Sequence, residues 1–124
     1  MPCKTPVTPS ERPQMSRSGI AFNQDGLVCV VVQSQTGRVL MLAWMNESAL
    51  DQTLSTGVMT FWSRSRQEIW VKGATSGNTQ KLLRLELDCD GDALLAIVEE
   101  SGPACHNGTA SCFDTHVFFD GEAS

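Results

Sequence analysis

The chain has 124 residues, 41% of them hydrophobic, and a formal net charge of −5 at pH 7. This length favours one domain with a true core, but it is short for an enzyme that must enclose its substrate alone, which suggests a site shared between subunits. The composition is that of a soluble protein, since no apolar run approaches the roughly 18 residues of a membrane helix.

Charge is distributed unevenly along the chain. Residues 64–84 carry five basic side chains and one acidic one, whereas residues 85–124 carry nine acidic side chains and no Lys or Arg. A basic middle beside an acidic end suits a small anionic ligand held by the middle and a metal held by the end. It argues against nucleic acid as a partner, although charge pairing between strands or subunits would produce the same distribution.

Five cysteines follow an N-terminus that lacks the apolar core of a secretory signal. This favours a reducing compartment with free or metal-bound thiols, and a disulfide between Cys105 and Cys112 is the competing interpretation. Residues 1–19 hold four of the five prolines and predict a mobile tail. Residues 20–124 are interpreted as a single domain.

The pattern from residue 21 onward predicts a strand-rich domain. Apolar and β-branched runs predict antiparallel strands at 27–32 and 39–45, with Cys29 in the core. Asn46 as N-cap and Gly57 as stop predict one short helix. Further strands are predicted at 58–62, 80–88 and 93–98, and a last strand is consistent with the apolar residues at 113–119.

The segment from Asp88 to Asp92 combines three carboxylates with one thiol. If the strand extends through residue 92, Asp88 and Asp90 point to one side and Cys89 to the other. Gly91 permits a tight turn by which Asp92 rejoins the carboxylate side. Carboxylate oxygens suit Mg²⁺ whereas thiolates favour Zn²⁺, so one segment would serve two metal sites. An ordinary acidic surface turn is the alternative.

Two polar segments are candidates for binding a phosphorylated ligand. Arginine forks onto phosphate oxygens and serine adds donors, so Ser63-Arg64-Ser65-Arg66 is a candidate clamp, although a solvated loop has the same composition. The loop at 72–78 offers glycines and small polar donors. Trp70 either stacks on a purine or packs in the core.

Cys105, His106 and Cys112 form a further candidate site. Six residues separate the two cysteines, which is not by itself a zinc signature. Three roles are open for His106: a fourth metal ligand, a general base, or a structural histidine. His116 is interpreted as structural.

Taken together, these segments closely resemble phosphoribosyl-AMP cyclohydrolases of histidine biosynthesis. The resemblance covers roughly residues 21–114, and Asn107 and Asp114 depart from the pattern, where a threonine and an aromatic residue are expected. It rests on VLMLAWMN (39–46), FWSRSR (61–66), WVKGATSGN (70–78), DCDGD (88–92), GPACH (102–106) and SCF (111–113).

The resemblance implies a cytoplasmic hydrolase of α+β fold, with one or two short helices, that forms an intertwined homodimer. It implies a zinc ion shared between the two subunits and a magnesium ion held by the acidic turn. Carried over to this chain, the zinc ligands are Cys89 of one subunit with Cys105 and Cys112 of the other, and the magnesium ligands are Asp88, Asp90 and Asp92.

The implied reaction is hydrolytic opening of the N1–C6 bond of the adenine ring of phosphoribosyl-AMP by zinc-bound hydroxide, with His106 transferring a proton. A zinc-dependent nucleotide deaminase is the runner-up, but its His-x-Glu and Cys-x-x-Cys signature is missing. A structural zinc-binding module that binds a partner is a third alternative. The residues implied to anchor the substrate's phosphate-bearing arms are Arg64, Arg66, Lys72, Thr75, Ser76 and Asn78.

Overall fold

The computed structural model describes residues 19–121 and has a strand-rich, mixed α+β architecture. The predicted tail therefore lies outside the described residues except for Gly19. No helix in this part of the chain is long and apolar enough to cross a lipid bilayer. The described elements are β1 (Val28–Ser34), β2 (Val39–Met45), α1 (Glu47–Thr56), β3 (Thr60–Ser63), β4 (Glu68–Val71), β5 (Gln80–Leu87) and β6 (Ala93–Glu100).

Four strands form the main sheet, in the order β2-β1-β6-β5. β1 is antiparallel to β2 and parallel to β6, and β5 is antiparallel to β6. The predicted antiparallel pair at 27–32 and 39–45 is thereby confirmed. β3 and β4 form a separate antiparallel hairpin, which is attached to β5 where the Met59 N–H donates to the Gln80 carbonyl at 2.9 Å.

The main sheet has one buried face and one half-buried face. Val28, Val30 and Val32 of β1 are at most 1% exposed and alternate with the half-buried Cys29 and Val31. Cys29 is therefore not in the core as predicted, because the two-residue period of a strand turns it to the opposite face. β6 follows the same alternation, with its buried residues at Leu94, Ala96 and Val98.

The short helix begins and ends where the sequence predicts. The Asn46 side chain accepts the Ala49 N–H at 2.8 Å, and Gly57 ends the helix with a φ of +76°. The buried Thr53 hydroxyl accepts the Thr60 N–H at 3.0 Å, and its one proton is shared between the carbonyls of Ala49 at 2.9 Å and Thr60 at 3.1 Å. These bonds fix the helix against the start of β3.

The acidic segment is a turn and not the extension of a strand. β5 ends at Leu87, so the predicted extended conformation through residue 92 is wrong. Asp88 Oδ1 accepts the N–H groups of Asp92 at 2.9 Å and Ala93 at 3.2 Å. Aspartate side chains that bond to nearby backbone in this way compete with a strand ladder and favour a turn.

Residues 113–119 form no strand in the described part of the chain, so the last predicted strand is wrong. Val117, Phe118 and Phe119 are 76%, 106% and 82% exposed. Apolar composition alone does not produce a strand, because the backbone also needs a neighbouring sheet edge with which to pair.

Candidate active site

The acidic turn brings the three predicted carboxylates together. One oxygen each from Asp88, Asp90 and Asp92 lies within 4.8 Å of the others, and all three residues are exposed. Gly91 makes the turn possible, since it has a φ of +81° and an added Cβ would lie 2.6 Å from the Gly19 carbonyl oxygen.

Crowding of the three carboxylates shifts their ionisation. The pKa of Asp92 is raised to about 6 by its hydrogen bonds with Asp90 and Asp88 and by their negative charges. Desolvation opposes ionisation of Asp88, but its hydrogen bonds with Asp92 and with backbone N–H groups hold the pKa of Asp88 below its ordinary value. A divalent cation would relieve this repulsion, so the donor set fits a hard metal ion.

Cys105 lies in a narrow loop. The Ala104 N–H donates to the Ala110 carbonyl at 3.1 Å, and the Cys105 N–H donates to the Thr109 carbonyl at 3.2 Å. The loop carries His106 at its tip, where the side chain is exposed. The candidate proton-transfer group therefore lies next to a candidate metal ligand and in contact with solvent.

Cys112 is held directly on the edge strand β2. Its N–H donates to the Leu40 carbonyl at 2.7 Å. The fully buried Ser111 hydroxyl donates to the Val39 carbonyl at 2.7 Å and accepts the Phe113 N–H at 3.0 Å. Sequence reasoning assigned no role to Ser111, and its one signal was a small hydroxyl residue beside a candidate ligand.

The thiols of Cys105 and Cys112 are close enough to affect each other's pKa and are not joined in a disulfide. The Asn107 N–H is the main cause of the lowered pKa of Cys105, whereas burial is the main cause of the raised pKa of Cys112. The Lys72 ammonium donates to the Ala104 carbonyl at 2.6 Å, and its charge favours both thiolates. Two sulfur donors are thus paired beside a cation.

Cys89 does not join this pair within one chain. Among residues 19–121, the three aspartates are the one group of three or more His, Cys, Asp or Glu residues close enough to share an ion. Cys89 is exposed on the acidic turn. Within residues 19–121, Cys105 and Cys112 therefore have no third sulfur donor close enough to share an ion with them.

The basic turn between β3 and β4 has its own hydrogen bonds. The Ser63 hydroxyl accepts the Arg66 N–H at 3.2 Å, and the Gln67 side chain donates to the Arg64 carbonyl at 2.7 Å. The guanidinium of Arg64 lies over the Trp44 ring, with its carbon 4.7 Å from the ring centroid. Arg64 also lines a cleft of about 380 Å³.

Cys29 links the basic turn to the acidic turn. Burial is the main cause of its raised pKa, the charge of Asp92 raises it further, and the charge of Arg64 lowers it. The strand register gives the geometry. Cys29 lies opposite Trp44 on β2, whose ring Arg64 covers, and opposite Ala93 on β6, the residue that follows Asp92. Arg64, the candidate phosphate-binding residue, and the candidate cation site are therefore both reached from the same part of β1.

Comparison with known proteins identifies the family. The family model for phosphoribosyl-AMP cyclohydrolase matches residues 41–114. The chain is 57% identical over 107 residues to the phosphoribosyl-AMP cyclohydrolase of Mycobacterium sp. (strain MCS), with 86% of this chain and 93% of that protein covered. It is 60% identical over 91 residues to the phosphoribosyl-AMP cyclohydrolase of Thermobifida fusca (strain YX), with 73% and 78% covered. This chain belongs to the phosphoribosyl-AMP cyclohydrolase family.

Membership confirms the resemblance inferred from the motifs. Phosphoribosyl-AMP cyclohydrolases are enzymes that open the ring of phosphoribosyl-AMP in histidine biosynthesis. The matched region, residues 41–114, contains every candidate metal ligand, His106 and all the candidate substrate residues.

The two departures from the cyclohydrolase pattern have different surroundings. Asn107 is exposed, and it is its backbone N–H that lowers the pKa of the Cys105 thiol. Asp114 forms an ion pair with Arg38 at 2.6 Å and accepts the Ser111 N–H at 3.0 Å. The Arg38 guanidinium is the main cause of the lowered pKa of Asp114. Asp114 therefore fixes the Cys112 segment to the turn between β1 and β2.

The remaining candidate substrate residues of the cyclohydrolase have different environments. Thr75 and Ser76 are exposed, whereas the Asn78 side chain packs against Gly102, in the segment that leads to Cys105. Trp70 is half-buried with its ring centroid 4.9 Å from that of Phe61, which supports the core interpretation. Ser65 is exposed, with its hydroxyl 3.4 Å from that of Ser63.

Proposed function

We propose that this cyclohydrolase hydrolyses the N1–C6 bond of the adenine ring of phosphoribosyl-AMP at a zinc centre built by two copies of the chain. The family match over residues 41–114 carries the proposal, because this region contains the complete set of candidate ligands. The free thiols favour a reducing compartment, and we place the enzyme in the cytoplasm.

Three cysteines are the proposed zinc ligands. A catalytic zinc ion takes three protein donors and keeps its fourth position open. Cys105 and Cys112 supply two neighbouring sulfur donors, which have the softness that zinc favours. The third donor is Cys89 of the partner subunit, an assignment supported by its exposure and by its separation from the other two within one chain.

The half-buried face of the main sheet is the proposed dimer surface. Leu42, Val31 and Leu95 lie in one cross-strand row on β2, β1 and β6, and Leu42 is 49% exposed. An apolar sheet face is stable when another layer covers it. Pairing of two copies through this face would cover it, and exchange of the cysteine ligands would intertwine the two subunits.

The acidic turn is the proposed magnesium site. Asp88, Asp90 and Asp92 offer oxygen ligands, which Mg²⁺ prefers, and Mg²⁺ commonly binds protein carboxylates together with substrate phosphates. Cys29 lies opposite Trp44, over which the Arg64 guanidinium lies, and opposite Ala93, which follows Asp92. This register supports a phosphate position between the cation and the guanidinium.

The basic turn and the neighbouring loop are proposed to hold the two phosphate-bearing arms. Arg64 and Arg66 provide forked donors, and the exposed hydroxyls of Thr75 and Ser76 add neutral donors. Lys72 and Asn78 are proposed to contribute near the Cys105 loop. The Lys72 ammonium contacts the loop at the Ala104 carbonyl, and the Asn78 side chain packs against Gly102 just before it.

His106 is the proposed proton-transfer residue. When bound, zinc supplies a Lewis acid that lowers the pKa of a coordinated water toward neutrality. His106 lies at the exposed tip of the Cys105 loop, where it can move a proton between water and the purine nitrogen. The water oxygen becomes the carbonyl oxygen on C6 and the N1–C6 bond breaks. One proton of that water passes to N1 as it leaves C6, and the other passes to the exocyclic nitrogen, which becomes the amide nitrogen of the carboxamide.

Product analysis tests the reaction. Incubation with phosphoribosyl-AMP should yield the ring-opened carboxamide without ammonia, and ammonia release would instead indicate a deaminase. Cys105→Ser should retain the dimer and lose turnover, whereas Cys29→Ser is the matched control because Cys29 is not a proposed ligand. Full turnover in Cys105→Ser would reject the zinc assignment.

A further inference from the structure

Arg64 and Arg66 extend from the same turn but have different partners. Arg66 pairs with Glu68 at 3.5 Å. No carboxylate of the described residues forms an ion pair with Arg64, whose guanidinium carbon instead lies 4.7 Å from the centroid of the Trp44 ring. This distance is within the roughly 6 Å range of a cation–π contact.

The contact places the Arg64 guanidinium carbon over the Trp44 ring and uses the charge of the cation rather than its N–H donors. An arginine stacked on an aromatic ring presents its flat face to that ring. Its N–H groups lie in the guanidinium plane and point away from the ring edge, where they can still donate to a phosphate in a forked pair. The Trp44 contact therefore does not compete with anion binding by Arg64.

The backbone of Arg64 is already fixed, so the side chain is the part that needs ordering. The Gln67 amide donates to the Arg64 carbonyl at 2.7 Å, and Gln67 is the one described non-glycine residue with a positive φ, at +53°. Arg64 is exposed, and an exposed arginine loses considerable rotamer entropy when a ligand immobilises it. Stacking on a rigid indole reduces that loss before the substrate arrives.

Arg64 borders a space of suitable size for part of a ligand. The cleft of about 380 Å³ is lined by Arg64 together with Trp62, Gln67, Asn46, Asp25 and Leu27. Ligand pockets in proteins commonly measure about 300 to 1,000 Å³. Trp44 belongs to the half-buried face of β2, directly opposite Cys29 on β1.

We propose that Trp44 is a positioning residue that orders the Arg64 guanidinium to receive a phosphate of the substrate. This inference rests on the phosphate role proposed above for Arg64. Trp44 does not itself contact the reacting atoms. It acts on substrate affinity through Arg64 and leaves the chemical step unchanged.

Steady-state kinetics with phosphoribosyl-AMP on the metal-loaded enzyme test the inference. Trp44→Leu should raise KM about three- to fivefold with kcat within about twofold of wild type, the size expected for loss of one exposed cation–π contact. Trp44→Phe should restore most of the affinity because its ring can still stack. Trp44→Leu should add no further rise in KM in an Arg64→Ala background, since Trp44 acts through Arg64.

The outcomes separate this inference from the proposed function. If Arg64→Ala raises KM and Trp44→Leu does not, the positioning role of Trp44 is wrong and the phosphate clamp stands. If Arg64→Ala leaves KM unchanged, the clamp itself is wrong. A merely structural Trp44 would raise KM equally with and without Arg64, or would lower kcat without rescue by Trp44→Phe, and either result overturns the inference.

Discussion

Removal of the Ser111 hydroxyl is expected to loosen the segment that carries Cys112. The hydroxyl is fully buried, donates to the Val39 carbonyl at 2.7 Å and accepts the Phe113 N–H at 3.0 Å. Each such bond contributes about 1 kcal/mol to stability, so Ser111→Ala should lower the free energy of unfolding by about 2 kcal/mol. The Cys112 N–H still reaches the Leu40 carbonyl, so the fold should persist.

Urea denaturation followed by tryptophan fluorescence measures this change. The free energy of unfolding of a small protein falls by about 1 to 3 kcal/mol per molar urea, so the urea concentration at the unfolding midpoint should be lower in Ser111→Ala by about 1 M. Wild type and Ser111→Ala must be compared in the presence of a metal chelator and at the same protomer concentration, because bound metal and dimerisation both shift the apparent stability. Ser55→Ala is the matched control, since it removes an exposed hydroxyl bonded within helix α1 at 3.2 Å. Equal midpoints for wild type and Ser111→Ala would refute the reasoning.

Three other perturbations have definite expected results. Arg38 lowers the pKa of Asp114, so this carboxylate stabilises the fold above pH 4 or so and the contribution is lost as the pH falls further. The urea midpoint of wild type should therefore exceed that of Asp114→Asn at pH 6 and approach it in acid, and a gap independent of pH would contradict the ion pair. Thr53→Val should lower the free energy of unfolding by about 1 to 3 kcal/mol in thermal or urea unfolding, because it leaves the buried Thr60 N–H without its acceptor. A midpoint unchanged from wild type would show that this bond contributes nothing. Removal of zinc with a chelator should abolish turnover while far-ultraviolet circular dichroism is retained, whereas global unfolding would favour the structural zinc module.

Local signals were sufficient for most of the secondary structure. The N-cap at Asn46 and the stop at Gly57 determine the helix through their own side-chain and backbone chemistry. The strand pair at 27–32 and 39–45 follows from β-branched, apolar runs joined by a short turn. The parallel pairing of β1 with β6 connects distant parts of the chain, and no local pattern specified it.

Predictions that depended on extending a pattern were wrong. Alternation suggested that the strand continued through the acidic segment, but Asp88 bonds to the backbone of Asp92 and closes a turn. The carboxylates still meet, because the turn gathers them on its own. The apolar run around Cys29 predicts a core position for it, yet the face on which a single strand residue lies is set by the strand's register.

Site residues were found where their chemistry is visible in the sequence and missed where it depends on contacts. The residue type alone indicates what an aspartate, a cysteine or an arginine can bind. The resemblance of the motifs then indicates which of these residues belong to the same site. Ser111 and Trp44 act through partners brought close by the fold, the Val39 carbonyl and the Arg64 guanidinium. Neither contact is predictable from spacing along the chain.

A mixing experiment tests most directly whether two chains build one zinc centre. Cys89→Ser and Cys105→Ser should each be inactive alone. If the site takes Cys89 from one subunit and Cys105 with Cys112 from the other, a mixed dimer of the two variants keeps one intact site. Unfolding and refolding the variants together should then restore about a quarter of wild-type activity, since about half of the dimers are mixed and each has one working site of two. No recovery of activity in a verified mixed dimer would contradict the shared centre.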